Sequence, residues 1–182
     1  MNQALVLVDI QNDYFPGGAM ELAGSTEAGV QGGKLLQAFR KKSLLVIHIQ
    51  HISTHQGATF FLPNTRGVEI HESAAPIKGE PVFQKNYPNS FRGTPLLECL
   101  RQREIGQLVT AGMMTHMCID TTTRAAADLG FQCLLAHDAC ATRSLVFGDA
   151  VVSAGNVQAA FLSALNGAFA KVLPVSDICA NL

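Results

Sequence analysis

Four continuous apolar runs punctuate the chain: ALVLVDI (4–10), LLVIHI (44–49), QLVTAGM (107–113) and FQCLLAHDA (131–139). Unbroken runs of this length, rather than strict polar–apolar alternation, suit strands buried on both faces of a parallel sheet. Between and after them lie segments of helical spacing, 26–41, 94–103, 117–129 and 149–168, and two shorter strand candidates, PVFQK (81–85) and KVLPV (171–175). Alternation of strand and helix predicts a three-layer α/β/α fold with a mostly parallel, Rossmann-like sheet of about six strands and right-handed crossovers. A chain of 182 residues, 48% hydrophobic, can bury one full core, so residues 1–182 are expected to form a single domain.

Charge narrows the classes of partner. Thirteen basic residues against fourteen acidic ones, 15% charged overall, leave no basic field for nucleic-acid phosphates and no charged tail. No apolar run reaches the roughly 18 residues of a membrane span, and MNQALVLVDIQNDYF lacks the pattern of a signal peptide. A cytoplasmic protein acting on a small molecule, without nucleic acid or membrane as partner, is the expectation. Cys99, Cys118, Cys133, Cys140 and Cys179 form no CxxC pair, which suggests free thiols rather than a disulfide framework or zinc finger. The aperiodic stretch 50–80 reads as a long ordered excursion of the kind that builds walls over a site. The tail SDICANL is either a docking segment or a frayed end.

In an open parallel sheet, ligands bind beyond the carboxyl ends of the strands, near the point where strand order reverses. Asp9 closes VLVD, Lys85 closes VFQK, and Cys118 follows LVTAGMMTHM where the next helix begins. Taken singly, Asp9 reads as a turn or cap residue, Lys85 as a solvated lysine and Cys118 as an inert buried thiol. Their shared placement at strand ends favours a site. A thiol in the first turn of a helix meets the positive end of the dipole, and a nearby ammonium would also favour the thiolate. In the helix itself, Ile119, Thr122, Ala126 and Leu129 form one face, Asp120 and Arg124 pair at (i, i+4), and Gly130 ends it.

Several motifs in fixed order, VLVDIQNDYF, GEPVFQKNYPNSFRGTPL, TAGMMTHMCIDTTTRAAADLGF and HDACAT, resemble the isochorismatase-like cysteine hydrolase superfamily, which includes nicotinamidases and N-carbamoylsarcosine amidases. The resemblance spans nearly the whole chain. It implies an isochorismatase-like hydrolase fold and an Asp–Lys–Cys triad of Asp9, Lys85 and Cys118. It also implies a cis peptide between Met113 and Met114, an oxyanion hole from the backbone amides of Met114 and Cys118, and a dimer or tetramer. For substrate it suggests Phe15, Asn89, Ser90, Phe91 and His116, with Met114 beside them; Phe60, Phe61 and Leu62 in the long excursion are further candidates. The implied reaction is hydrolysis of the C–N bond of a small amide through a thioester. Alternatives are the vinyl-ether cleavage of an isochorismatase, for which relatives often lack the cysteine, and a redox or binding role with Cys133 or Cys140 as resolving thiol.

No cofactor and no metal are expected. Nicotinamidases of the superfamily bind a divalent ion through an Asp-x-His pair after the second strand, where this chain reads HIQHIS without the aspartate. His48, His51, His55 and His71 remain possible ligands, and HISTH would offer an (i, i+4) pair if helical.

Overall fold

The structure is a computed structural model and describes residues 2–182. The described residues form strands β1 (Asn2–Val8), β2 (Leu45–His51), β3 (Val82–Lys85), β4 (Ile105–Met113), β5 (Gln132–Ala141), β6 (Leu145–Phe147), β7 (Ala150–Val152) and β8 (Lys171–Leu173). Helices α1 (Ser25–Lys41), α2 (Leu96–Gln102), α3 (Asp120–Asp128), α4 (Ala154–Leu165) and α5 (Val175–Ala180) connect or follow them. Six strands make one parallel sheet in the order β3-β2-β1-β4-β5-β8. The chain leaves β1 in one direction and returns to β4 on its other side, so the order reverses between β1 and β4.

The apolar runs work as read, because both faces of the sheet are covered. Leu5 and Leu7 join α1 and α5 residues such as Leu35, Phe39 and Ile178 in one core. Ala4, Val6 and Val8 join Leu96, Leu100, Ile119 and Leu165 from α2, α4 and the α3 entry in the other. Alternate residues of one strand therefore feed opposite cores, which is why a two-sided strand carries no polar period. At the end of β4, Gly112 has φ +133°, and a Cβ there would overlap the Val8 carbonyl. Only glycine lets β4 close against the end of β1.

One expectation changes and one narrows to the docked of its two alternatives. Residues 149–168 are not one helix: β6 and β7 form an antiparallel hairpin turning through Gly148 and Asp149, and α4 starts only after Ser153, whose side chain accepts from the Asn156 N–H. The β-branched pair Val151–Val152 and the serine cap outweigh the helical spacing. The tail is neither frayed nor loose, since α5 buries Val175 and Ile178, and Lys42 Nζ donates to the Leu182 carbonyl at 2.9 Å. No described helix is long and apolar enough to cross a membrane.

The excursion after β2 is ordered by short 3-10 turns at Arg66–Val68 and Glu72–Ala74 and by a charged staple at its far end. Arg40 of α1 grips both oxygens of Glu80, Nε to Oε1 at 2.7 Å and a terminal nitrogen to Oε2 at 2.8 Å. His48 Nε2 of β2 meets Oε2 at 2.8 Å, and the Ile77 N–H donates to it at 3.0 Å. Burial alone would raise the Glu80 carboxyl, but Arg40, Ile77 and His48 pull it down to about 2.

Candidate active site

Beyond the carboxyl ends of β1 and β4, at the reversal of strand order, three side chains converge. Asp9 follows β1 with φ +51°, a left-handed backbone that aspartate tolerates better than most residues. Its N–H donates to Ile49 O at 3.1 Å and its carbonyl accepts from Gln11 N at 3.0 Å, so the strand breaks and the carboxylate is left at its end. Lys85 ends β3, two strands away, and its long side chain brings Nζ to 2.7 Å from Asp9 Oδ2 and 3.2 Å from Cys118 Sγ. Cys118 lies in a wide π-helical turn, Thr115–Ile119, in which Met117 and Ile119 both donate to the Met114 carbonyl before α3 begins. Asp9, Lys85 and Cys118 are 0%, 1% and 4% exposed. Bulk solvent therefore has little access, and electrostatic contacts here are worth more than at a surface.

The ammonium has more acceptors than protons. Besides Asp9 and Cys118, Lys85 Nζ lies 3.0 Å from Tyr87 O, 3.3 Å from Pro88 O and 3.1 Å from His51 Nδ1. Burial works to lower its affinity for a proton, yet Asp9 and Cys118 outweigh this and hold it above the ordinary lysine value. Asp9 Oδ1, by contrast, is buried with no hydrogen-bond partner among the described residues. Burial and the Asp9 charge push the Cys118 thiol far up, with Lys85 opposing. Lost hydration of the anion thus opposes the helix-start and ammonium effects that favour a thiolate. The resting arrangement is thiol, carboxylate and ammonium, in which Cys118 Sγ and one Asp9 carboxylate oxygen lie within 4.8 Å of each other.

An aromatic cover lies over this group. Phe61, fully buried, stands 4.6 Å from the Tyr14 ring and 5.8 Å from His51, and Phe60 packs on both Phe61 and Tyr14. Asp13 anchors the cover: its carboxylate accepts from the Phe61 N–H at 2.6 Å and the Ala19 N–H at 3.1 Å. A Cβ on Gly67 would collide with that carboxylate. Tyr14 escaped sequence reading. Burial, with the Cys118 and Asp9 charges, raises its phenol well above the usual value, so it remains a hydrogen-bond donor beside them. The signal available was its place five residues after Asp9 in VLVDIQNDYF, but nothing distinguished it there from core.

The other candidates divide. Phe15 stacks on His71 at 3.5 Å and presses on Gly29 of α1, a packing role. Asn89 Oδ1 caps the Phe91 N–H at 2.9 Å, the Ser90 N–H donates to Thr122 Oγ1 at 3.0 Å, and Phe91 stacks with Phe131. These residues fasten the turn after β3 to α3, and none of their hydrogen bonds among the described residues reaches Asp9, Lys85 or Cys118. His116 Nδ1 is 2.5 Å from Thr142 Oγ1, and its ring meets the edge of Phe161, which ties the turn holding Cys118 to the end of β5. Leu62 is exposed. The Met113–Met114 peptide is cis, and Met114 is buried beside the turn.

The histidines proposed as metal ligands are dispersed. His48 is committed to Glu80, His71 accepts from the Ser73 N–H at 3.2 Å, and HISTH is extended and then turned rather than helical, so His51 and His55 share no helix face. Asp9, His51 and Cys118 do bring one donor atom each within 4.8 Å of one another. The Lys85 ammonium, however, already contacts all three and takes the central position that a cation would need. The donor set fits an ammonium, not an additional metal ion.

An isochorismatase domain model matches residues 3–177. The isochorismatase family protein YddQ of Bacillus subtilis strain 168 is 48% identical over 172 residues, 94% of this chain and 96% of that protein. A crystallised isochorismatase-type hydrolase from Oleispira antarctica superimposes with a TM-score of 0.94 at 48% identity, covering 98% of this chain and 96% of the other. The nicotinamidase/pyrazinamidase of Mycobacterium tuberculosis strain H37Rv is 29% identical over 179 residues, 87% of this chain and 91% of that protein.

Proposed function

The chain belongs to the isochorismatase family of hydrolases, and from that premise we propose that it hydrolyses the C–N bond of a small-molecule amide through a thioester on Cys118. The observation that carries this reading is Lys85 Nζ touching both Asp9 Oδ2 at 2.7 Å and Cys118 Sγ at 3.2 Å, with Asp9 Oδ1 left unpartnered. A structural ion pair would satisfy its carboxylate; this one keeps an acceptor free beside a thiol. The nicotinamidase relative supports amide chemistry.

In the proposed cycle, Cys118 Sγ bonds to the carbonyl carbon while its proton passes to Asp9, and the carbonyl electron pair moves onto oxygen. The backbone amides of Met114 and Cys118 receive the oxyanion. Lys85 holds the carboxylate and sulfur in register and offsets the charge that develops on sulfur. Collapse breaks the C–N bond, and the amine leaves with the proton from Asp9. Water then attacks the thioester, giving its proton to Asp9; the C–S bond breaks, and Asp9 returns the proton to sulfur. Amide and water are consumed, acid and amine are formed, and the resting thiol is restored. Tyr14, Phe60 and Phe61 pack together over His51 and shield the group from bulk water.

The test is ammonia or amine release from a panel of small primary amides, with intact-mass analysis of quenched reactions. Turnover and a transient acyl mass on Cys118, both absent in Cys118→Ala, are expected. Undiminished turnover by the alanine variant would overturn the covalent scheme.

A further inference from the structure

His51 closes β2 opposite Lys85 in the sheet register. Its backbone is clamped on both sides by one side chain: Gln11, fully buried, donates from Nε2 to the His51 carbonyl at 2.9 Å and accepts the His51 N–H at Oε1 at 2.7 Å. The same Nε2 donates to Val68 O at 2.7 Å, tying the clamp to the excursion. The ring is backed by Phe61 at 5.8 Å. What this placement achieves is a single short polar contact, Nδ1 to Lys85 Nζ at 3.1 Å. An ammonium can only donate, so Nδ1 must carry the lone pair and the proton must sit on Nε2. The charged and titratable groups facing the ring are Asp9, whose Oδ2 is 3.9 Å from Nδ1, Lys85, Cys118 and, from the loop, His55. Burial, together with Lys85 and His55, lowers the imidazole below its ordinary value against the pull of Asp9, which keeps it neutral.

We propose that His51 is a positioning residue for the reaction: its neutral Nδ1 accepts from the Lys85 ammonium and holds that ammonium between Asp9 and Cys118. The two carbonyls of the loop after β3, Tyr87 and Pro88, hold the ammonium from its own strand; His51 supplies the restraint from the neighbouring strand. Without it four acceptors still face three protons, but none restrains the ammonium from the β2 side, so it can settle toward the Tyr87 and Pro88 carbonyls and away from sulfur. The imidazole thus occupies the role of a fixed acceptor in a cluster where a metal ion would find its place already filled. The inference rests on the thioester reading given above.

The experiment compares His51→Asn with His51→Phe. Asparagine attaches an acceptor oxygen to Cγ, as histidine attaches Nδ1, whereas phenylalanine keeps the ring contact with Phe61 and removes the acceptor. Acetyl transfer from p-nitrophenyl acetate to Cys118 is followed by nitrophenolate release and peptide mass, after circular dichroism has confirmed that each variant is folded. The Lys85 ammonium signal is followed by proton–nitrogen NMR on lysine-labelled protein. His51→Asn is expected to acetylate at close to the wild-type rate and to keep the ammonium signal. His51→Phe is expected to be slower by about tenfold or more, the scale of a lost charge-assisted hydrogen bond, and to lose the signal to exchange. Equal rates and equal signals in the two variants, or a phenylalanine variant faster than the asparagine one, would overturn the inference. Failure of the wild-type protein to acetylate at Cys118 would instead defeat the thioester reading, so the two failures are distinct.

Discussion

Two charge clusters, one partly buried and one buried, hang from the same strand, three residues apart, and they are built to opposite ends. At His48, the Glu80 carboxylate is met by Arg40, the Ile77 N–H and the imidazole, and both of its oxygens are used. At His51, an ammonium is surrounded by acceptors while Asp9 Oδ1 is left without a partner. The first cluster fastens the 52–81 excursion to α1 and β2. The second stores an unmet hydrogen-bonding capacity next to a protonated thiol. The contrast lies in the carboxylates, since His48 Nδ1 is also buried without a partner: a carboxylate with both oxygens engaged rigidifies, whereas one with an unmet buried oxygen costs stability.

Mutation should separate the two. Cys118→Ala is expected to lower amide turnover by about a thousandfold or more while shifting unfolding free energy by no more than about 1 kcal/mol, measured by ammonia release and urea denaturation. Glu80→Ala should do the reverse, costing about 3 kcal/mol because Arg40 and His48 lose their anion in a partly buried setting, with the folded fraction retaining turnover. If Glu80→Ala abolished turnover in folded protein, the division between staple and site would fail.

Acid sharpens the same contrast. The Glu80 carboxyl is held at about 2 when folded against an ordinary value of 4.5. A depressed carboxyl stabilises the fold above the ordinary value and loses that contribution as pH falls through the folded one. Wild-type stability should therefore decline between pH 4.5 and about 2, and Glu80→Gln should flatten that part of the curve in acid titrations followed by circular dichroism. The smallest effect is expected at Gly67, where alanine would press on the Asp13 carboxylate. Gly67→Ala should cost about 1–2 kcal/mol and increase hydrogen exchange at the Phe61 amide.

Much of the sheet was legible because its strands are buried on both faces, and a two-sided strand writes an unbroken apolar run. The convergence of Asp9, Lys85 and Cys118 was legible because a strand's carboxyl end is a fixed place, so a polar residue there can be located before any contact is known. His51, Tyr14, Asp13 and Glu80 were not legible in these roles. Their functions arise from contacts 30 to 60 positions away in an aperiodic segment, such as Asp13 with Phe61 or Arg40 with Glu80, and no local period encodes such pairings. The β6–β7 hairpin was hidden for a different reason: a valine-rich segment leading into a helix satisfies both periods until the Ser153 cap decides between them.

The burial of Cys118 bears also on how long this protein lasts. Peroxides and stray electrophiles consume thiolates that solvent can reach, on a ladder that ends in irreversible sulfinic and sulfonic acids. A thiol 4% exposed, protonated at rest and roofed by Tyr14 and Phe61, presents neither the anion nor the access those reagents require. On the proposed thioester reading, that reactivity is released only when a bound carbonyl is there to receive it, so the closure that would restrict substrate choice would also set the working lifetime of the nucleophile.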